Sequence, residues 1–329
     1  MKVFVYSTHS YDLQALTKAC RNKHELIFFD KKLSVETARN ASGCEAIALF
    51  TADDASAEVL EMLHSYGIRY VALRSAGYDH INLLKAKQLK MRAANVPAYS
   101  PYAIAEHAVA MLLVINRKII QSQLLIQLQD FRLDNLTGFD VHGKTIGIIG
   151  TGKTGMAFAK IMNGFGAILL GYDPVLNEDA PAVGIQYVSL EHLIKSSDII
   201  SLHCPLNEKT KHMIAQPQFL NMKKNCIFIN TSRGGIIKTE DLLQALESAV
   251  IGGACLDVYD KEKGIFFEDH RATILNDPIL ARLRSLKNVL ITGHQAFLTT
   301  EALDGIAETT IQNLDAWQQG LVSPNELIA

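Results

Sequence analysis

The chain has 329 residues, of which 48% are hydrophobic and 20% charged, and its formal net charge is −2. This balance is typical of a globular protein with apolar residues enough for two cores, and it lacks the basic excess of a nucleic-acid or membrane-surface binder. The first residues do not form a signal-peptide pattern, and no stretch approaches the roughly 18 apolar residues of a membrane span. Five scattered cysteines, without a CxxC pair or zinc-ligand spacing, predict reduced thiols, no metal site and a cytoplasmic location.

The first hundred residues predict one α/β domain. Five short apolar runs alternate with stretches of helical character, such as 56–65 and 82–90. The predicted strands are Val3–Tyr6, Leu26–Phe29, Ala46–Phe50, Tyr70–Leu73 and Met91–Val96. Short apolar strands that alternate with helices favour a parallel sheet covered on both faces.

A long helix is predicted next. Ser100 can cap its start, and Pro101 can occupy its first position. The segment from Tyr102 to about Gln129 is rich in apolar residues and contains no glycine or proline, which indicates one long helix or two abutting ones. Such a helix could link two domains, support a subunit interface or lie in a core.

The alternation of strands and helices then restarts and indicates a doubly wound nucleotide-binding domain. The predicted strands are 145–149, 168–172, 199–203, 226–230, 251–256 and 289–292. The predicted helices are 154–165, 190–196, 216–222 and 239–247, with a last helix from 299 to about 320. If that last helix returns to the first domain, the domains are 1–100 plus 299–329 and 101–298.

A glycine-rich turn follows the strand 145–149 directly. Gly150, Gly152 and Gly155 form G-x-G-x-x-G between a strand and a helix, the context in which this motif indicates a dinucleotide. The glycines allow the tight turn, the approach of a pyrophosphate and close helix–strand packing, while the helix N-terminus attracts the phosphates. A glycine-rich turn without a ligand is the weaker interpretation.

An acidic residue ends the next predicted strand. Asp173 lies 18 residues after Gly155, where a carboxylate can accept hydrogen bonds from the adenosine ribose, and no arginine follows it closely. NAD is therefore predicted as the cofactor in preference to NADP. Taken alone, Asp173 could merely cap a loop.

Three chemically active residues follow strands of the second domain. Arg233 leaves the strand 226–230 beside two glycines and is suited to a two-pronged bond with a carboxylate. His294 follows the strand 289–292, and Glu262 lies just past the strand 251–256. Reduction of a 2-keto acid needs a cation to bind the carboxylate and polarise the carbonyl group, an acid to donate a proton, and a neighbour that adjusts that acid. From the sequence alone, each residue also fits a structural role: a solvated arginine, a core histidine and a charged surface run.

Other candidates are weaker. Cys204 could serve as a nucleophile, but the adjacent His203 should point to the opposite side of the strand. His142 and His212 are expected at the surface, and the pair Asp53 and Asp54 in a solvated polar loop.

The ordered combination of motifs resembles the D-isomer-specific 2-hydroxyacid dehydrogenase family, and within it the fermentative bacterial D-lactate dehydrogenases. The motifs are Gly150–Gly155, HCPL at 203–206, NTSRG at 230–234, LDVY at 256–259, GHQAF at 293–297, YSTHSYD at 6–12, SAGYDHINL at 75–83, VPAYSPYAIAEHA at 96–108 and PNEL at 324–327. The resemblance covers essentially the whole chain. It implies a flavodoxin-like substrate domain and a Rossmann NAD domain with the active site in a cleft between them, and a homodimer or homotetramer.

The resemblance also implies roles for individual residues. Arg233 would bind the substrate carboxylate, His294 would exchange the proton, and Glu262 would hydrogen-bond His294 and favour its protonated form. The substrate would further meet the backbone of Ser75, Ala76 and Gly77 and the side chains of Phe50, Tyr99 and Phe297. Contacts with NAD would come from the glycine turn and from Lys153, Thr154, Asp173, Cys204, Pro205, Thr210, Thr231, Ser232, Arg233 and Asp257.

The expected reaction is the reversible reduction of pyruvate to D-lactate with NADH. The alternatives are a related reductase of phenylpyruvate, 2-oxobutyrate or glyoxylate, and an NAD-sensing protein like the corepressors built on this fold. Tyr102 stands where many relatives carry a smaller or polar residue, and the residues around Ala76 and Gly77 also vary, so both bear on substrate choice.

Overall fold

The computed structural model describes residues 1–328, which form two compact units. Unit 1 comprises Met1–Ser100 and the chain from Phe297 onward, and unit 2 comprises Pro101–Ala296. The chain thus returns to unit 1 after residue 296, whereas the sequence predicts this return after residue 298. Each unit is built on its own parallel sheet, so the predicted α/β fold class is confirmed.

Unit 1 contains a five-stranded sheet with the order β2-β1-β3-β4-β5, and all its strand pairs are parallel. Its elements are β1 Lys2–Val5, α1 Ser10–Cys20, β2 Glu25–Phe28, β3 Ala46–Leu49, α2 Ala57–Ser65, β4 Tyr70–Leu73, α3 Leu83–Gln88 and β5 Arg92–Ala94. The five predicted strands are confirmed with small changes at their ends. Helix α1 is not predicted, because its few apolar residues are interrupted by polar ones.

Unit 2 contains a seven-stranded parallel sheet with the order β12-β11-β10-β9-β6-β7-β8. Its elements are α4 Pro101–Asn116, α5 Ile119–Gln127, β6 Thr145–Ile149, α6 Lys153–Gly164, β7 Ile168–Tyr172, β8 Ile185–Tyr187, α7 Leu190–Ser196, β9 Ile199–Leu202, α8 Gln216–Leu220, β10 Ile227–Asn230, α9 Thr239–Glu247, β11 Gly253–Leu256, α10 Pro278–Ser285 and β12 Val289–Ile291. The sequence predicts six strands for this sheet. The structure has a seventh, the short edge strand β8, which was not predicted. Strand order reverses between β6 and β9, and ligands of such sheets bind at that switch point.

The predicted long helix is two helices that meet at an angle of 55°. Lys118, between them, has a left-handed backbone with φ of 54°, which a continuous helix does not allow. The Asn116 side chain bonds both backbone groups of Phe139 and anchors the end of α4. Within residues 1–328 no single helix has the length and composition of a membrane span; only the bent pair α4 and α5 reaches them, when taken together.

The last helix, α11 Thr300–Gln318, belongs to unit 1. The Thr299 side chain accepts a hydrogen bond from the N–H of Ala302 and caps its start. The helix packs against α1, and its buried Trp317 stacks on Tyr70 of β4 with ring centroids 5.2 Å apart. The C-terminal part of the chain therefore completes the unit that the N-terminal part begins.

Candidate active site

The turn Gly150–Gly155 joins β6 to α6 and fits a dinucleotide. A Cβ on Gly155 would lie 1.9 Å from the carbonyl oxygen of Gly150, so strand and helix can be this close only with glycine there. A Cβ on Gly152 would meet no atom within 4 Å, which leaves open space at the start of α6. Unpaired N–H groups at a helix start with free space before them suit a pyrophosphate.

A fixed carboxylate lies at the end of β7. Asp173 accepts hydrogen bonds from the N–H groups of Thr151 (2.7 Å) and Val175 (2.9 Å), which hold it beside the glycine turn. The Tyr187 hydroxyl adds a link that sequence reasoning missed: it bonds the Thr151 hydroxyl at 2.7 Å and accepts from the N–H of Asn177 at 2.9 Å. An acid is therefore held in place beside the glycine turn, the position at which this fold can bind the ribose of a dinucleotide.

His294 and Glu262 form a hydrogen-bonded pair. The distance between His294 Nδ1 and Glu262 Oε1 is 2.8 Å, and the second carboxylate oxygen of Glu262 accepts from the N–H of Tyr259 at 3.0 Å. Both side chains are partly exposed. Because Nδ1 faces the carboxylate, the opposite ring nitrogen, Nε2, is the atom that can exchange a proton with a ligand.

The backbone at His294 is strained, and Asp257 holds it. His294 has φ of +55°, a left-handed conformation that is uncommon outside glycine, and its N–H donates to the Asp257 carbonyl at 2.7 Å. The buried Asp257 carboxylate accepts from Thr292 Oγ1 (2.6 Å), Gln295 N (2.9 Å) and Ala296 N (2.9 Å). Burial alone would raise the pKa of Asp257, but these bonds and His107 outweigh burial and lower it. Asp257 thus stays charged and fixes the turn that presents His294.

Arg233, Glu262 and His294 follow β10, β11 and β12, which are neighbours in the sheet. The carboxyl ends of parallel strands meet at one edge, so the three residues start from the same edge of unit 2. A Cβ on Gly234 would lie 2.2 Å from the carbonyl carbon of Tyr259, so the Arg233 turn rests directly on the backbone of the loop that carries Glu262. Arg233 is partly exposed, and its Nη1 donates to the Ser232 carbonyl at 2.9 Å.

The other predicted cofactor contacts lie on loops after β9 and β10 and on the first turn of α6. The Ser232 hydroxyl donates to the Cys204 carbonyl, and the Thr210 hydroxyl donates to the Pro205 carbonyl at 2.6 Å. Thr231 is buried, and its hydroxyl has no protein partner within residues 1–328. On α6, Lys153 is exposed and Thr154 partly exposed.

The structure argues against Cys204 and His203 as catalytic groups. Burial raises the pKa of Cys204 to about 11, so its thiol stays protonated at neutral pH. Burial lowers the pKa of His203 to about 3, so its imidazole stays neutral and cannot serve as a general acid. His203 Nε2 lies 2.9 Å from the hydroxyl of Ser201, two residues away on the same face of the strand, as strand alternation predicts.

In unit 1, the residues predicted to meet substrate follow β3, β4 and β5, except Phe297, which precedes α11. Phe50 and Phe297 have ring centroids 6.0 Å apart, and Arg74, which precedes the 75–77 loop, lies 5.6 Å from the Phe50 centroid. Tyr99 is partly exposed. Two further members of this aromatic cluster were missed: Tyr11 lies 6.5 Å from Phe297, and His9 lies 5.6 Å from Phe50 and stacks on Tyr11. The YSTHSYD motif contains both residues, but nothing in it shows that His9 contacts Phe50 and Tyr11 contacts Phe297.

One surface prediction was wrong. Asp53 is 2% exposed, and its carboxylate accepts hydrogen bonds from Ser7 Oγ, Leu33 N and Phe50 N at 2.7, 2.8 and 2.6 Å. Burial raises the pKa of Asp53, although these three bonds oppose it. The Asp53 carboxylate therefore links the residues that follow β1 and β3 inside unit 1. The polar residues around it in the sequence do not reveal this buried role. His142 and His212 are exposed, as predicted.

A doubly wound sheet with a glycine turn, an acid after its second strand, and an arginine and a histidine–carboxylate pair on loops at the same sheet edge is typical of an NAD-dependent dehydrogenase. The family model described as "D-isomer specific 2-hydroxyacid dehydrogenase, NAD binding domain" matches residues 109–296. D-lactate dehydrogenase of Escherichia coli K12 and a 2-hydroxyacid dehydrogenase homolog of Zymomonas mobilis are each 44% identical, and both alignments cover all of both chains.

A solved structure, that of the pyruvate reductase of Chlamydomonas reinhardtii, matches with a TM-score of 0.93 and 37% identity over 99% of this chain and 98% of that one. The chain belongs to the D-isomer specific 2-hydroxyacid dehydrogenase family, and unit 2 carries its NAD-binding domain. It is an NAD-dependent oxidoreductase.

Proposed function

We propose that the chain interconverts pyruvate and D-lactate and that Arg233, Glu262 and His294 carry the reaction. The observation that carries this proposal is the 2.8 Å bond between His294 and Glu262 at the edge from which Arg233 also starts. The names of two relatives, a D-lactate dehydrogenase and a pyruvate reductase, support the choice of substrate.

Each of the three side chains has a distinct task. The Arg233 guanidinium forms two parallel bonds with the substrate carboxylate and polarises the keto oxygen. Bound NADH supplies the hydride for C2 of the keto acid. His294 Nε2 donates a proton to the oxygen of C2, while Glu262, bonded at Nδ1, orients the ring and stabilises its positive charge. In oxidation, neutral His294 accepts the proton.

The glycine turn and the strand-end loops of unit 2 are suited to hold the cofactor. The open space at Gly152 would take the pyrophosphate, and Asp173 would accept hydrogen bonds from the adenosine ribose. The predicted contacts Thr231 and Ser232 directly precede Arg233 on the loop after β10, so part of the cofactor would bind next to the proposed substrate arginine. A carboxylate at position 173 would repel the 2′-phosphate of NADP, so NADH is the expected reductant.

The aromatic cluster of unit 1 supports a substrate with a small side chain. Phe50, Phe297, Tyr11 and His9 pack edge and face against one another, and Arg74, which precedes the loop proposed to receive the carboxylate, lies over the Phe50 ring. Well-packed rings can move apart for a large substituent only by losing these contacts. A methyl group is therefore favoured over a benzyl group.

A panel of keto acids tests this proposal. With NADH, kcat/KM is expected to be highest for pyruvate and about 10²-fold lower for phenylpyruvate, because a packed pocket rejects added bulk. The lactate formed should be the D isomer. Phenylpyruvate, 2-oxobutyrate or glyoxylate as the best substrate would contradict the assignment to pyruvate. Tight NADH binding without turnover of any keto acid would favour a nucleotide-sensing protein.

A variant of the aromatic cluster and a matched control test whether these rings determine the preference for pyruvate. Phe297→Ala should narrow the difference in kcat/KM between pyruvate and phenylpyruvate, because it removes one ring of the aromatic cluster. Tyr66→Ala, which removes a partly buried aromatic ring in the core of unit 1, is the control and should leave the ratio unchanged.

We also propose that α5 contributes to an interface with a second copy of the chain. None of its residues is buried, and Ile119, Ile120, Leu124 and Ile126 are exposed. Exposed apolar surface of this kind is typical of subunit interfaces. Leu124→Glu is expected to shift the sedimentation coefficient from that of an oligomer to that of a monomer, and a monomeric wild-type protein would contradict the proposal.

The five free, buried cysteines fit a cytoplasmic location.

A further inference from the structure

The 75–77 loop after β4 has all three of its carbonyl groups engaged. The Ser75 carbonyl accepts from the N–H of Val96 at 3.0 Å, the Ala76 carbonyl from Asn95 Nδ2 at 2.7 Å, and the Gly77 carbonyl from the Ser75 hydroxyl at 2.7 Å. The bond to the Ser75 carbonyl comes from the backbone of the segment after β5, and the bond to the Gly77 carbonyl comes from within the loop. The middle one comes from a buried side chain.

These bonds determine where the N–H groups of the loop point. In a trans peptide the C=O and the N–H point in opposite directions, and no cis peptide occurs in residues 1–328. Holding the Ala76 carbonyl against Asn95 therefore turns the Gly77 N–H the other way. In the described chain the N–H groups of Ala76, Gly77 and Tyr78 donate no hydrogen bond, and Ala76 and Gly77 are partly exposed. Successive free N–H groups of this kind bind anions.

A network of buried and partly buried polar residues holds Asn95 from the side opposite the loop. The backbone carbonyl of Asn95 accepts from Asn313 Nδ2 of α11 at 3.0 Å, and the backbone N–H of Asn95 donates to the Asn325 carbonyl at 3.2 Å. Asn313 Oδ1 in turn accepts from Ser323 Oγ at 2.6 Å and Asn325 Nδ2 at 3.0 Å. Asn313 is fully buried, and Ser323 is 2% exposed. Because a buried amide without a partner is destabilising, each member fixes the orientation of the next.

We propose that Asn313 is a positioning residue that, through Asn95, aims the Gly77 N–H at the carboxylate of a 2-keto acid. This inference rests on the proposed function, which has the 75–77 loop bind that carboxylate. The carboxylate does not change charge during the reaction, so the loop binds substrate and transition state alike. Loosening the loop should therefore raise KM and leave kcat nearly unchanged.

Asn313→Asp tests the link, because it keeps the acceptor for Ser323 and Asn325 but replaces the donor to Asn95 with an oxygen. The KM for pyruvate, and the Kd of oxamate for the NADH-loaded protein, should rise about tenfold, which corresponds to about 1.4 kcal/mol. The kcat should stay within about threefold, and the Kd of NADH should be unchanged. Ser323→Ala, which removes one support of Asn313, should shift KM in the same direction by about two- to threefold.

Thr310→Val is the matched control. Thr310 is buried on the same helix, and its hydroxyl donates only to the Ile306 carbonyl of that helix, so KM should not change. An unchanged KM in folded Asn313→Asp, or equal losses in KM, kcat and NADH affinity, would overturn the inference. If that variant does not fold, Ser323→Ala decides, and a wild-type KM there overturns it. A wild-type protein that neither reduces pyruvate nor binds oxamate would instead overturn the proposed function, and this inference with it.

Discussion

Replacing Arg233 with glutamine is expected to lower kcat/KM for pyruvate by about 10³- to 10⁵-fold, because one charged group is proposed to bind the carboxylate and polarise the keto oxygen. Glutamine keeps a hydrogen-bond donor but loses the charge and the two-pronged geometry. The Kd of NADH should change much less than kcat/KM, because the substrate carboxylate, and not the cofactor, is the proposed main partner of Arg233. Steady-state kinetics and a fluorescence titration of NADH measure the two effects separately.

Two further variants give this experiment its controls. Arg233→Lys keeps the charge without the fork and should recover only part of the lost activity. Arg271→Gln removes an arginine whose side chain is 91% exposed and pairs with Asp269, so it tests for a general effect of charge. Near-normal turnover by Arg233→Gln would refute the assignment of Arg233 to the substrate.

Replacing Glu262 with glutamine is expected to lower kcat/KM for pyruvate by about 10²-fold, because the proposed proton donor loses the carboxylate that orients it. The Glu262 carboxylate lies 2.8 Å from Nδ1 of His294, and we propose that it holds the ring with Nε2 free for the substrate. Glutamine keeps a hydrogen-bonding side chain of the same length but loses the negative charge. Oxidation of D-lactate, which uses the same ring, should fall to a similar extent.

The contribution of His294 can be separated from that of other histidines. His294→Gln should lower kcat/KM for pyruvate by about 10²- to 10⁴-fold. His192→Gln, at an exposed position on α7, is the control and should leave kcat/KM unchanged. His203, with a pKa of about 3, is neutral throughout the working range and is not a candidate for the proton donor. A wild-type kcat/KM in Glu262→Gln would show that this carboxylate does not act on the reacting imidazole.

The cofactor half of the site follows from local sequence. The run from Thr145 to Gly155 encodes an apolar strand, a turn that only glycine can make and the start of a helix, all within eleven residues. Parallel strands also place the residues after them at one edge, so the loops of Arg233 and His294 could be located from the strands alone. Asp173 could be located in the same way, because it ends the next strand.

The details that depend on distant contacts could not be predicted. Glu262 lies in an irregular segment, and its bond to His294 spans 32 positions, so only the resemblance to a family suggested it. Lys118 breaks the long helix through a left-handed backbone in a sequence without glycine or proline. The buried role of Asp53 and the Asn313–Asn95 link depend on tertiary hydrogen bonds, which polar composition does not reveal.

The most direct test of the account is a crystal structure with NADH and oxamate bound, which mimics the complex before hydride transfer. We expect the Arg233 guanidinium to form two bonds with the oxamate carboxylate, and His294 Nε2 to lie within about 3.2 Å of the oxygen that replaces the keto oxygen. Glu262 should remain on Nδ1 of the same ring. Arg233 and His294 turned toward different surfaces, with oxamate bound by other residues, would contradict the account.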